Sequence, residues 1–471
     1  MSHLSSVLMK LKKNRMLLII SIITIILNTL TFYGQVVQTA HAQPTINDPN
    51  LSAEAVVTGL SFPTSMAFLD ENNILILEKE GSVRLVSNGV LQDTPVLQIP
   101  VNSQNERGLL GVEVVDESNI TAGTAPNGVS MQSTVFLYFT EAGGGGGENG
   151  ELRNRVYKYQ WNGQSLVNPT LILDLPTGPG TNHQGGKLVI GPDGYLYGII
   201  GELQREGQLQ NIQGGPNPDD SGVIFRVNPQ DGSAAADNPF QGDPLNRYFA
   251  YGVRNSFGIA FDPITGILWD TENGEESYDE INIVNPGFNS GWKAVMGPIS
   301  AAGISENDLV QFPGSNYADP VFSWVESFGI TDIEFLNSQK LGQRYTNNIF
   351  VGDITQGNLY FFEVNENRNG LNFNTQSHPG LSDLVADTDD ESSSIILGTG
   401  FTGITNIETG PDGFLYVLTH DRETGDGNLY RIVLGASGGA PDTTTAPPII
   451  EETPPEEEGD ENEEDDEGEE E

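Results

Sequence analysis

Beyond residue 42 the chain has three histidines, His183, His378 and His420. His183 sits in a glycine-rich stretch, Gly180-Thr-Asn-His-Gln-Gly-Gly-Lys-Leu. Imidazole titrates near neutrality, so a histidine held on a loop where ligands collect can serve as a general base. A solvated loop histidine is the plain alternative. His378, beside Pro379, and His420 read as structural or surface residues. Three scattered histidines do not make a catalytic transition-metal site. Arg254 and Asn255 occupy Tyr251-Gly-Val-Arg-Asn-Ser-Phe-Gly. The chain has only 21 basic residues against 65 acidic ones. An arginine flanked there by glycine and aromatics can stabilise developing negative charge, or it can form a salt bridge between neighbouring sheets. The run Asp270-Thr-Glu-Asn-Gly-Glu-Glu-Ser-Tyr-Asp-Glu is the densest acid cluster of the folding region. Hard oxygens around a glycine suit Ca²⁺, though the spacing is not that of an EF-hand, and a solvated acidic loop is the other reading.

Such residues need a scaffold, and the chain repeats one theme. An apolar strand leads to an Asp/Asn-Gly turn, a second apolar or aromatic strand and a third strand ending polar. The first unit holds Met66-Ala-Phe-Leu, Asn73-Ile-Leu-Ile-Leu and Ser82-Val-Arg-Leu-Val. Further units begin near Leu109, Leu188, Ile259, Ile333 and Ile407. Gly191-Pro-Asp-Gly-Tyr-Leu-Tyr and Gly410-Pro-Asp-Gly-Phe-Leu-Tyr are near-copies, each placing a tight turn between two strands. With 56 glycines, 27 prolines and no long 3.6-residue period, the chain is expected to be all-β. Six such units arranged radially make a six-bladed β-propeller, which extends one domain without long exposed edges. A pair of β-sandwiches is the rival architecture. Gly398-Thr-Gly-Phe-Thr-Gly matches a dinucleotide-loop pattern only formally, because a strand and not a helix is expected after it.

The flanks differ in character. Residues 1–42 combine Lys10, Lys12, Lys13 and Arg15 with an apolar run from Met16 and an Ala40-His41-Ala42 end. These are the parts of a secretory signal peptide. An uncleaved membrane anchor is the alternative, and either delivers the body, 43–434, outside the cytoplasm as a secreted or cell-surface protein. Residues 435–471 form a Pro/Thr-rich, acidic tail with 15 acids in its last 21 positions, a composition expected to be disordered. The formal net charge is −44, which excludes nucleic-acid binding. Without cysteine there is no disulfide, thiolate metal site or thiol nucleophile.

These fragments together resemble the glucose/sorbosone dehydrogenase family, six-bladed propellers that use pyrroloquinoline quinone (PQQ) and Ca²⁺. The likeness rests on Glu106-Arg-Gly-Leu-Leu-Gly-Val, on His183-Gln-Gly-Gly-Lys-Leu through Tyr197, and on Ile224-Phe-Arg-Val-Asn-Pro-Gln-Asp-Gly-Ser. It continues through Asp237-Asn-Pro-Phe, Tyr251-Gly-Val-Arg-Asn-Ser-Phe-Gly, Asp279-Glu-Ile-Asn and Gly291-Trp, covering roughly Ala55 to Val433. The resemblance implies that His183 takes the proton of a sugar's anomeric hydroxyl, and that Arg254 meets the charge developing on the cofactor beside Asn255. It implies backbone carbonyls of Gly274 and Glu275 on the cofactor's Ca²⁺, and Glu280 near a further calcium. The substrate would be an aldose, with an electron acceptor that the sequence does not name.

Three positions depart from the family pattern. Glu106 stands where the family has glutamine, Thr355 where it has a lysine, and Gly403-Ile-Thr405-Asn406 where it has Arg-x-Arg-Asp. PQQ carries three carboxylates, and each lost charge-assisted bond costs roughly 1.5–3 kcal/mol. A propeller that has shed the cofactor and binds glycan or protein is therefore an alternative, as is a Ca²⁺-dependent lactone or ester hydrolase.

Overall fold

The computed structural model describes residues 43–116, 133–143, 152–373 and 376–435. The expected leader (1–42) and nearly all of the acidic tail lie outside the described residues. Within them the chain forms six small, mainly antiparallel sheets in a ring, a six-bladed β-propeller with very few helical turns. Blade I comprises Pro63–Phe68, Asn73–Glu78 and Ser82–Ser87 with two short outer strands. Blade II runs over Leu109–Asp116, Ser133–Glu141, Arg153–Trp161 and Leu166–Leu175. Blade III is Leu188–Ile190, Leu196–Ile200, Val223–Val227 and Tyr248–Tyr251, and blade IV is Gly258–Phe261, Leu268–Glu272, Ser277–Val284 and Phe322–Glu326. Blade V holds Ile330–Phe335, Ile349–Asp353, Leu359–Phe362 and Ile396–Thr399. Blade VI holds Ile404–Thr409, Leu415–His420 and Asp426–Leu434. The first strand of each blade packs against the first strands of its two neighbours, closing a ring around the axis.

Closure comes from the N-terminal side. Leu51–Ser61, which precedes the first repeat, becomes the outer strand of blade VI, with Leu51 opposite Leu434 and Ser61 opposite Asp426. Thr45–Ile46 adds to the edge of blade V. Pairing the start of the chain with the last two blades holds the two ends of the repeat array together. The repeats alone do not reveal this exchange.

The core lies between blades. Leu75, Leu77, Leu109, Val112 and Leu137 join blades I and II, and Tyr197, Ile224, Ile259 and Leu268 join III and IV. Trp269, Phe322, Trp324, Phe335 and Tyr360 tie IV to V. Each such side chain stabilises the fold by about 1.5–3 kcal/mol when fully buried. The near-copied turns recur in three dimensions. Gly194 and Gly413 take positive φ of 79° and 81°, and their amides close on Gly191 and Gly410 at 2.9 and 2.8 Å. Without a Cβ, glycine adopts this conformation at no steric cost. The result is that every first strand begins, and every second strand ends, at the same face of the ring.

Candidate active site at the mouth of the ring

The loops on that face surround a cavity of about 550 Å³. Seven of the nine positions singled out in the sequence line it: Glu106, His183, Arg254, Asn255, Gly274, Thr355 and Thr405. Glu275 is exposed outside it, and Glu280 is buried beneath it in blade IV.

His183 is held by its backbone as much as by its side chain. It adopts φ of 60°, followed by Gly185 at 62° and Gly186 at 120°. Left-handed backbone at a non-glycine residue is uncommon and persists where the surroundings enforce it. Here the His183 amide donates to Glu106 Oε2 at 2.6 Å. The same carboxylate oxygen accepts from Asn255 Nδ2 at 3.2 Å, so Glu106 ties blade II to the loops entering blades III and IV. His183 Nδ1 meets Glu202 Oε1 in a short contact. With the buried Glu202 carboxylate on Nδ1, that nitrogen carries the proton and Nε2 keeps the lone pair, the tautomer a base needs. The Glu202 amide donates to Arg254 O at 2.8 Å. A Cβ on the adjacent Gly201 would lie 2.4 Å from His183 O and 2.8 Å from Arg254 O. The two key residues therefore meet across a glycine, and any side chain there would drive them apart.

Arg254 makes no ion pair with a carboxylate among the described residues, so the inter-blade salt bridge is not what the arginine forms. Its Nη1 donates to Asn273 O and Gly274 O, both at 2.8 Å, and its guanidinium lies 5.1 Å from the Trp292 ring centroid. Burial pulls its proton affinity down, while Glu202, Glu275, Glu272 and Glu106 pull it back. The amide of Arg254 donates to Glu272 Oε1 at 2.7 Å.

The acid cluster divides into two layers. Glu275 and Glu276 are exposed, but Asp270, Glu272, Asp279 and Glu280 are buried, which corrects the solvated-loop reading for most of the segment. Register places Asp270 opposite Asn282 and Glu272 opposite Glu280, so three carboxyls share one face of blade IV. Burial holds Asp270 and Glu280 well above the usual carboxylate range and Glu272 at about 7. Asp279 has a different task. It accepts from the amides of Gly274, Phe328 and Gly329 and from the Ser327 hydroxyl at 2.6–3.0 Å, fixing the Gly274 turn to the loop entering blade V.

The departures from the family pattern sit on the remaining wall. Thr405 donates its hydroxyl to Leu418 O at 3.3 Å, and Thr355 Oγ1 accepts from Arg422 Nη1 at 3.4 Å. His420, expected to be structural or at the surface, lines the cavity. Its Nδ1 lies 3.1 Å from Pro63 O, and burial lowers its proton affinity. Lys79 lines the cavity too. His378 lies away from it, beside a smaller hollow near Asn47 and Arg344. Sequence reading missed Lys79, Glu202, His420 and Arg422. One signal was present: Lys79, Gly201-Glu202, Asn273-Gly274, Ile354-Thr355 and Asp421-Arg422 each follow the second strand of a repeat.

Residues 60–431 match the family model for glucose/sorbosone dehydrogenase. The chain belongs to that family. Relatives within it include the aldose sugar dehydrogenase of Escherichia coli strain K12, 27% identical over 383 residues, which span 80% of this chain and 91% of that protein. Quinoprotein glucose dehydrogenase B of Acinetobacter calcoaceticus is 29% identical over 298 residues, 57% of this chain and 58% of the relative. Among solved structures, the PQQ-bound aldose sugar dehydrogenase of Streptomyces coelicolor superposes with a TM-score of 0.58 at 22% identity, covering 83% of this chain and all of that one. That likeness carries the glucose/sorbosone dehydrogenase fold. Sugar dehydrogenases among these relatives make the chain an oxidoreductase by family.

Proposed function

We propose that this protein is an aldose dehydrogenase that works outside the cytoplasm with PQQ and Ca²⁺. The observation that carries the reading is one cavity holding His183, oriented by a buried carboxylate, and Arg254, a cation without a carboxylate partner. The residues fit both groups. Asn255 Oδ1 and Asn273 Oδ1 are buried at the cavity wall without a hydrogen-bond partner among the described residues and are hard oxygens of the kind Ca²⁺ takes, whereas the Gly274 carbonyl is engaged by Arg254 Nη1. Lys79, Arg254 and Arg422 give the cavity a positive charge that suits an anionic cofactor.

PQQ, when bound, supplies the two-electron acceptor for the hydride leaving the sugar's anomeric carbon. The chain manages the rest. His183 Nε2 accepts the proton of the anomeric hydroxyl, and Glu202 stabilises the imidazolium so formed. Arg254, pinned at the Asn273 and Gly274 carbonyls, faces the negative charge that accumulates in the cavity. Glu106 and Asn255 hold the two residues in register. The expected result is that protein reconstituted with PQQ and Ca²⁺ oxidises an aldose using an artificial electron acceptor. Absence of both turnover and PQQ binding by calorimetry rejects the reading. Export through residues 1–42 is checked by N-terminal sequencing of protein from medium and membrane fractions. The rival, a glycan- or protein-binding propeller without cofactor, is favoured by Thr355 and Thr405, and Lys79 and Arg422 count against it.

A further inference from the structure

Most cations of this acid-rich chain are neutralised. Seventeen of the lysines and arginines lie in the described residues, and eleven pair with a carboxylate there. Six do not, and three of those have evident local tasks. Arg107 donates to the carbonyls of Thr177 and Gly180, Lys158 binds Gln230, and Lys340 sits over the Phe414 ring. The other three, Lys79, Arg254 and Arg422, all line the same cavity. Arg254 has the role argued above. Lys79 and Arg422 have no carboxylate partner among the described residues and no part in the proton transfer.

Their placement is reciprocal. Each follows the second strand of its blade, in blades I and VI, which are neighbours in the ring. Between them lie Phe62 and His420, with ring centroids 5.7 Å apart. Both cations are near enough to disfavour protonation of His420. Among the described residues Lys79 Nζ hydrogen-bonds the Asn105 carbonyl, in a short contact. Arg422 is exposed, and among the described residues its hydrogen bond is the long one to Thr355. Both cations keep donors free for an anionic group entering the cavity, and a charge-assisted bond to it is stronger than a neutral one.

We propose that Lys79 and Arg422 are the carboxylate anchors of the bound cofactor, a cationic wall displaced to blades I and VI from the family's positions at Thr355 and Thr405. The inference rests on the PQQ reading and names how this chain holds that group. Thr355 then acts as a neutral rest for Arg422 and not as a ligand in its own right.

The test is calorimetric titration of PQQ, in excess Ca²⁺, into the wild-type protein, Lys79→Gln, Arg422→Gln, Arg422→Lys and the double Gln variant. Each single Gln change should weaken the Kd about 10- to 100-fold, with Arg422→Lys falling between wild type and Arg422→Gln. The salt dependence of binding should flatten as each charge is removed. The trimethyl ester of PQQ, which lacks the carboxylates, should bind all forms alike. Wild-type binding with unchanged Kd in both Gln variants overturns the anchor assignment alone. No binding by the wild-type protein overturns both it and the PQQ reading. Arg422 is exposed, so an unchanged thermal midpoint separates lost affinity from lost fold.

Discussion

Two clusters of positive charge in this propeller, one on each face, are handled in opposite ways. At the face that carries the Gly-Pro-Asp-Gly turns, blades III and VI repeat one cluster. Arg226 pairs with Asp193 at 2.9 Å and Asp237 at 2.7 Å, and the Tyr197 hydroxyl donates to Asp193 at 2.9 Å. Arg431 pairs with Asp412 at 3.2 Å and Glu54 at 3.3 Å, and Tyr416 donates to Asp412 at 3.0 Å. At the opposite face Lys79, Arg254 and Arg422 have no carboxylate partner among the described residues. Acids outnumber bases by 65 to 21, so pairing is the default outcome for a cation in this chain. Three exceptions in one cavity are what the proposed anionic cofactor would complete.

That contrast can be broken most directly at the base. His183→Gln keeps a polar side chain but loses the titratable nitrogen, and turnover of reconstituted protein should fall about 10²–10⁴-fold. Activity within a few-fold of wild type would end the assignment. Arg254→Met should lower kcat about 10²–10³-fold, whereas Arg226→Met on the other face should leave kcat within a factor of about two. Equal losses from both arginines in the same assay would erase the distinction between the faces. Glu202→Gln should reduce kcat more than it raises KM, because it disturbs the orientation of His183 and not substrate contact. A pure KM effect would count against that role.

Smaller effects concern stability and pH. In the channel below the cavity, Glu113 accepts the Ile190 amide at 3.0 Å and Lys187 bridges Asp332 and Glu408 at 2.8 and 2.9 Å. Burial pushes Glu113 and Glu334 up to about 8. A carboxyl raised on folding keeps a proton that the unfolded chain has already released. These two groups therefore make stability fall as pH rises from about 4.5 to about 8. Glu113→Gln preserves the acceptor for Ile190 and removes the titration. It should stabilise the protein by about 1–2 kcal/mol at pH 8 and by little at pH 4.5, as read from urea midpoints at both values. A pH-independent effect would contradict the assignment. At the other cluster, Arg226→Gln should cost about 1–3 kcal/mol, because the buried guanidinium bonds Asn238 as well as Asp193 and Asp237, as read from urea midpoints.

The sequence was most informative where structure is local. Apolar runs of strand length separated by Pro-Asp-Gly turns specify strand, turn and strand within a few residues, so six blades were legible without coordinates. His183 and Arg254 were legible for a related reason. Both stand just before an apolar first strand, and in a ring of sheets that position always falls on one face. Glu202, Lys79 and Arg422 follow the same geometry after second strands and His420 ends one, but nothing in their immediate neighbours marks them out.

What the chain by itself determined, then, was the repeating unit, its number and the face on which its loops gather, because propensity, turn chemistry and strand alternation act over short separations. Only the closed ring decided that Lys79 and Arg422, 343 positions apart in the numbering, share one wall, that Leu51–Ser61 completes the last blade, and that Glu106 clasps both His183 and Asn255. The physical reason is angular. Each blade's place around the axis is set by packing against its two neighbours, and the distance between two side chains across the cavity depends on those packings and not on the number of residues between them.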